Sequence, residues 1–359
     1  MKKFLWVLML SALVFGGCEI EDKDRDPNGE TGEKDLTSML VLCEGTYNQN
    51  NSTLARYTFT DDKLETDYFR AQNGRGLGDT SNDMKRYGGK VYVVVNVSST
   101  LEIIDAATGK SLKHIEMKNG ETARQPRNVA FDGGKAFVCC FDGTVVRVDT
   151  ASMEVDGIVE CGLNPEDLCV AKGKLYVSNS GGLNYENGYD NTLSVVSLQD
   201  FTEMKRITVG TNPGTVRADA QGNVWVLTKG DYAEEKGSMH KIDTENDTVA
   251  QSFPELAASD FTISGNTMYV YNYDYTTQDY WIKLVDCTSG EVTNGQFVAD
   301  NTEIVLPYSI TVNEANGDVY ITDAIDNMTA GDVICFNKEG KFRYRVKEVG
   351  IGPNSIVLM

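Results

Sequence analysis

Histidine is nearly missing from this chain. Two occur in 359 residues, His114 and His240, both in short β-type segments. A zinc site or a histidine-based catalytic centre therefore has little to draw on. Positive charge is scarce too: 33 Lys and Arg stand against 53 Asp and Glu, a formal net charge of −20. Such a field repels polyphosphates and argues against nucleic acid as a partner. The sequence has no Gly-x-Ser-x-Gly elbow, no phosphate-cradling glycine loop and no Cys-x-x-Cys pair. Of eight cysteines, Cys18 stands apart, and the other seven lie mostly within apolar β-type runs, where cysteine behaves as a small buried hydrophobe. An odd number argues against a full disulfide framework and leaves room for one bridge in an oxidising setting.

What is present begins with the N-terminus. Lys2 and Lys3 precede an apolar run over residues 4–15, then Gly16, Gly17 and Cys18. A charged start, a short apolar core and small residues mark an export signal, and the run is too short to span a bilayer comfortably. Small residues directly before a cysteine resemble the bacterial lipobox. By that resemblance, residues 1–17 are a lipoprotein signal peptide and the Cys18 thiol is lipidated. Residues 18–36 then form an acidic, flexible tether, because "EIEDKDRDPNGETGEKD" has too few apolar residues to offset its ordering entropy. Its acidity resembles the surface-export signal of Bacteroidetes lipoproteins, which implies an outer-membrane, cell-surface location with membrane contact through the anchor only. Loss of Lys2 and Lys3 with the signal takes the charge from −20 to −22.

Residues 37–359 repeat. Tyr92, Phe137, Tyr176, Trp225, Tyr269 and Tyr320 each sit in a short β-branched run behind a glycine turn, at separations of 45, 39, 49, 44 and 51 positions. That period fits propeller blades or paired helices, and the lack of any long 3.6-residue periodicity selects β. Each unit has a lead-in such as "QPRNVAF", "NPEDLCV", "NPGTVRA" or "LPYSITV", then the aromatic strand, a variable loop and a third strand. Asp105, Asp149, Asp243 and Asp286 open a turn into a fourth strand, where Asp caps backbone amides. Six units are complete. "MLVLCEG", "LARYTFTDD" and "LETDYF" supply the last three strands of a seventh, and "GIGPNSIVLM" supplies its first. The expected fold is all-β: a seven-bladed β-propeller whose ring is closed by the C-terminal strand pairing into the N-terminal blade, which removes sheet edges.

"GKLYVSN" at 173–179, "NGDVYITD" at 316–323, "NPGTV" at 212–216 and "GPNSI" at 352–356 resemble the YVTN-type propellers, the family of the YncE-like proteins. That family is functionally diverse, so the fold alone settles little.

In a propeller, the loops joining second to third strands share one face with those joining blades. Here that face is the variable one, with "EGTYNQNNS" (44–52), "NVSS" (96–99), "FDG" (141–143) and "NSGGLNYENGYDN" (179–191). "KGDYAEEKGS" (229–238), "NYDYTTQDYW" (272–281) and "DAIDNMTAGD" (323–332) complete it. Long, polar, aromatic loops on a rigid face form recognition surfaces. Flat faces with polar tips come from Tyr47, Tyr185, Tyr189, Tyr232, Tyr273, Tyr275, Tyr280 and Trp281. Paired donors and acceptors come from Asn48, Asn51, Asn96 and Asn191. The lead-ins add Asp83, Arg124, Arg127, Asn128, Glu166, Asp260, Tyr308 and Asn354 around the central channel.

These residues are expected to bind a ligand without catalysis and without a cofactor or metal. The chain is similar to the surface propeller lipoproteins of Bacteroidetes that capture corrinoids such as vitamin B12. That resemblance implies hand-over to a TonB-dependent outer-membrane transporter. A glycan- or peptide-binding propeller is the first alternative. A hydrolase or lyase is the second, with Asp190, Asp274 and Asp279 as candidate acid/base carboxylates. Calcium at "DAIDN" is conceivable, although the spacing is not that of an EF-hand.

Overall fold

The computed structural model describes residues 36–359. The signal peptide, Cys18 and residues 18–35 of the tether lie outside the described residues.

Twenty-eight strands form seven four-stranded antiparallel sheets, the blades of a ring. Blade 1 consists of Ser38–Cys43, Thr53–Thr58, Lys63–Glu65 and the C-terminal Pro353–Leu358. Blades 2 to 7 follow in sequence order, over residues 81–116, 126–160, 165–208, 213–253, 260–294 and 307–351. The expected closure is present: Leu40 pairs with Val357 and Val41 with Ile356. A two-stranded hairpin, Lys118–Asn119 with Thr122–Ala123, joins blades 2 and 3.

The repeat aromatics hold the blades face to face. Tyr92 packs on Val129 and Phe131 of blade 3, Tyr176 on Val216 and Val224 of blade 5, and Trp225 on Phe261 and Met268 of blade 6. Each of the three is fully buried, a contribution of about 2 kcal/mol per ring. Blade 1 carries Leu40 at the equivalent position, opposite Val357 as Tyr92 is opposite Lys85. A short helix, Tyr68–Asn73, fills the space there with Tyr68 and Phe69. The sequence reading of "LETDYF" as a full fourth strand is therefore corrected. That strand ends at Glu65, and Asp67 caps the helix by accepting from the Arg70 amide.

The lead-ins explain their own composition. Five of the seven prolines, Pro126, Pro165, Pro213, Pro307 and Pro353, begin an innermost strand. Proline has no amide to donate, so the first residue of a strand suits it. Gln125, Asn164 and Asn212 before it take left-handed conformations, with φ 53°, 46° and 57°. Asparagine tolerates that region better than most residues. The carbonyls of these three residues accept from the first amides of the loop face, Phe141, Ser180 and Lys229, at 3.0, 3.1 and 3.0 Å. The aspartates of the third-strand turns are structural, as expected: Asp149 Oδ1 accepts from the Ala151 and Ser152 amides. The seven cysteines of the described residues are all buried.

Candidate functional site

In every blade but the sixth, the innermost strand meets its neighbour through a shift in register. In blades 1, 2, 3, 4, 5 and 7 the shift lies two or three residues ahead of the first buried apolar side chain. In blade 2, Ser81 faces Val95 and Asp83 faces Val94, so Asn82 is surplus to the ladder. Glu166, Tyr308 and Asn354 are surplus in the same way. Arg127 with Asn128, and Gly214 with Thr215, share a single opposing residue. A bulge of this kind re-aims a side chain. Here it produces a ring of Asn82, Arg127, Glu166, Tyr308 and Asn354 around the channel on the face of the long loops.

Above that ring lies an open cavity of about 1070 Å³. A second cavity of about 440 Å³ opens at the far ends of the same strands, among Tyr87, Phe131, Val170 and Val357. Met84, Lys85, Arg217 and Ile356 border both and form the waist between them.

The ring is cross-braced. Arg127 donates to Asn82 Oδ1 and to Glu166 Oε1, the latter at 2.5 Å, and its guanidinium stacks 4.6 Å from the Phe141 ring centre. Tyr308 Oη donates to Glu44 Oε2 at 2.8 Å. Burial pushes the Glu44 carboxyl above its ordinary range, and the Tyr308 bond and Arg127 oppose that. One layer deeper, Arg217 pairs with Asp167, and Lys85 reaches Asp83 at 3.4 Å and the Val129 carbonyl at 2.7 Å. Asp260 accepts from Thr215, and burial raises its pKa, with Arg217 opposing. Seven acidic and five basic side chains line the cavity. That near balance contrasts with −20 for the chain, so the mouth does not share the repulsion of the outer surface.

One wall is tyrosine. Tyr232 and Tyr275 are each 70% exposed and stand on the cavity rim from blades 5 and 6. Tyr273 meets Tyr275 edge to face at 4.9 Å.

Of the candidates read from the sequence, the cavity gathers Asp83, Arg127, Asn128, Tyr232, Asp260, Tyr273, Tyr275, Tyr308 and Asn354, together with Glu166. The others stand elsewhere for identifiable reasons. Arg124 is buried between the hairpin and blade 3, with Asp142 at 2.5 Å and the Lys118 carbonyl at 3.2 Å. Asn96 ties blade 2 to the Pro126 carbonyl at 3.1 Å. Asn51 caps the Thr46 amide at 2.8 Å, and Asn48 holds a left-handed turn whose amide donates to Asp79. Tyr47 projects from that loop at 68% exposure. Tyr185 lies on a 3-10 turn, Gly182–Asn187, closed by Asn184 Nδ2 on the Gly188 carbonyl. Tyr189 touches the site only through Tyr232, at 6.1 Å edge to face. Asn191 carries an exposed side chain and gives its carbonyl to the Val209 amide. Tyr280 and Trp281 are strand residues rather than loop residues, because Tyr273 pairs with Tyr280 and Asn272 with Trp281. Strand alternation turns Tyr280 toward the core shared with blade 7 and Trp281 toward the core shared with blade 5.

Glu44, Asn82, Arg217 and Lys229 line the cavity without having been singled out in the sequence. The signal for Asn82 was available in the column that contains Arg127, Glu166, Tyr308 and Asn354. Two of the three candidate carboxylates are engaged in turns: Asp190 accepts from the Leu163, Asn191 and Thr192 amides, and Asp274 from those of Thr276 and Thr277, while Asp279 enters its turn through its backbone. In "DAIDN", Asp323 takes the Val305 and Leu306 amides and Asp326 those of Met328 and Thr329.

Fold and cavity together define a class: a seven-bladed β-propeller with a polar, tyrosine-walled mouth at one end of its channel. The chain belongs to the family described as Domain of unknown function (DUF5074), which matches residues 37–345. No curated protein matches it in sequence. Among solved structures it is similar to a quinonprotein alcohol dehydrogenase-like protein from Bacteroides thetaiotaomicron, at 16% identity and TM-score 0.63 over 90% of this chain and 78% of that one. It is also similar to the Kuenenia stuttgartiensis hydrazine synthase, at 15% identity and TM-score 0.60 over 77% of this chain and 88% of that one. A protein of unknown function from Bacteroides caccae aligns at 11% identity and TM-score 0.50, over 90% and 99% of the two chains. At these identities the likeness concerns the fold alone.

Proposed function

We propose that the chain is a non-enzymatic, lipid-anchored, cell-surface binding propeller. It takes a large ligand, a corrinoid such as vitamin B12, at the channel mouth and passes it to a TonB-dependent outer-membrane transporter. The observation that carries the binding reading is the mouth itself. At about 1070 Å³ it lies just above the range for small-ligand sites, about 300–1,000 Å³. It combines a tyrosine wall with a ring of side chains that the bulges hold in place. A corrinoid suits it because the macrocycle is broad and rimmed with amides, which Asn, Arg and Tyr can pair with. The resemblance to corrinoid-capturing lipoproteins supports the choice of ligand, and the lipobox-like "GGC" supports the anchor.

Calorimetric titration with cyanocobalamin tests the ligand. Heat and a raised Tm at micromolar concentration are expected. If both are missing while an oligosaccharide or peptide gives them, the corrinoid is wrong and the binding face stands. Turnover of a chromogenic glycoside would instead favour the hydrolase or lyase alternative. Cys18→Ser should release the protein from the membrane fraction, and protease treatment of intact cells should degrade the wild type.

A further inference from the structure

The ring has one position without a side chain, Gly214 in blade 5. A Cβ there would meet Lys229 Cε at 3.1 Å and Nζ at 3.8 Å. The stem of Lys229, from the adjacent strand Val224–Gly230, therefore lies across the gap and brings an ammonium into the ring. The other cations at this depth are engaged: Arg127 with Glu166, Arg217 with Asp167, Lys85 with Asp83. Among the described residues, Lys229 Nζ has neither a hydrogen bond nor an ion pair.

Lys229 acts electrostatically on Asp260, but the acids around it all have other hydrogen-bond donors. Asp260 accepts from Thr215 Oγ1 and the Phe261 amide. Glu235 accepts from Thr211 Oγ1 at 2.7 Å, and Asp274 caps its own turn. Lys229 also lies within electrostatic reach of Tyr275, which stands with Tyr232 on the same wall. A half-buried lysine with no hydrogen bond or ion pair, in one cavity with two exposed tyrosines, is arranged to receive an anion attached to a flat or apolar body.

We propose that Lys229 is the anion-recognising residue of this cavity: the ligand carries a carboxylate or phosphate that meets Lys229 Nζ, while its body rests on Tyr232 and Tyr275. The inference rests on the binding reading above and sharpens it to a ligand class.

The test uses three probes of similar shape on the purified mature protein: phenylacetate, phenyl phosphate and the neutral phenylacetamide. A charge-assisted hydrogen bond predicts that the anions bind about tenfold more tightly than the amide. Lys229→Met should erase that preference without changing Tm, and Lys229→Arg should restore most of it. Preference between carboxylate and phosphate identifies the source of the charge. Equal binding of all three probes, weakened alike by Tyr232→Ala, overturns the role of Lys229 and leaves the cavity as the site. Binding unaffected by either substitution, or binding of none, overturns both.

Discussion

The longest loop between a second and a third strand and two shorter loops of the same kind behave in opposite ways. Residues 180–191 of blade 4 are the largest insertion, yet they contribute no side chain to the cavity. The loops at 231–235 of blade 5 and 274–279 of blade 6 are half as long or less, and they place Tyr232 and Tyr275 on its rim. The long loop is occupied with itself: Asp190 holds the Leu163 amide at 2.9 Å, and Asn184 closes the 3-10 turn. Gly181 sits so close to the Asp190 amide that a Cβ would meet it at 2.2 Å. Length is thus a poor guide to a binding loop. What matters is whether the strand beneath delivers the loop over the channel.

The strongest way to break this comparison is to remove the short-loop aromatics. Tyr232→Ala with Tyr275→Ala should cost about 2 kcal/mol of binding, roughly thirtyfold in Kd, by calorimetry. An unchanged Kd would move the site away from the mouth. A smaller effect separates the carboxylates of the loops from those of the channel. Asp231 and Asp274 have lowered pKa values, chiefly because backbone amides donate to them. Their contribution is present above 3.8 and lost as pH falls through the lowered values. Asp260 is the reverse, because burial raises it from 3.8. As pH rises from there through its raised pKa, the folded state resists an ionisation the unfolded chain permits, so this group makes stability fall with pH. The stability of Asp260→Asn relative to wild type should therefore increase from pH 4 toward neutrality in urea titrations. A flat difference would show that Asp260 ionises freely.

Excising residues 182–188 should change Kd by only about twofold, through the Tyr189 edge on Tyr232, worth roughly 0.5 kcal/mol. Tyr185→Ala should do still less, within about 0.3 kcal/mol, as for most exposed surface positions. A large loss from Tyr185→Ala would mean that the long loop folds over a bound ligand.

The ring of blades was legible because packing repeats: an aromatic near every forty-fifth position and a proline at most lead-ins both reflect what each blade must do. Blade 1 hid its irregularity, since nothing in "LETDYF" reveals that Tyr68 and Phe69 substitute for the aromatic that Leu40 is not. The ring side chains were legible where a proline marked the bulge, as at Arg127, Glu166, Tyr308 and Asn354. Asn82 lacks that proline and was passed over. Tyr280 and Trp281 misled because the strands of blade 6 run further into the apparent loop, which turns both rings into the interblade cores. Lys229 left no local trace. Its place depends on a missing side chain at Gly214, fifteen positions away in sequence and adjacent only across a ladder.

The closing strand carries one more consequence. Thr37 donates its amide to the Met359 carbonyl at 2.8 Å, so the first and last residues of the ring lie side by side. Blade 1 stays one strand short until Pro353–Leu358 exists, and its Ser38–Cys43 strand keeps an open edge until then. A chain cut before Pro353 therefore displays this edge to proteases and to other chains. Ring closure therefore joins segments at opposite ends of the propeller sequence, and it is complete only when all seven blades stand in place.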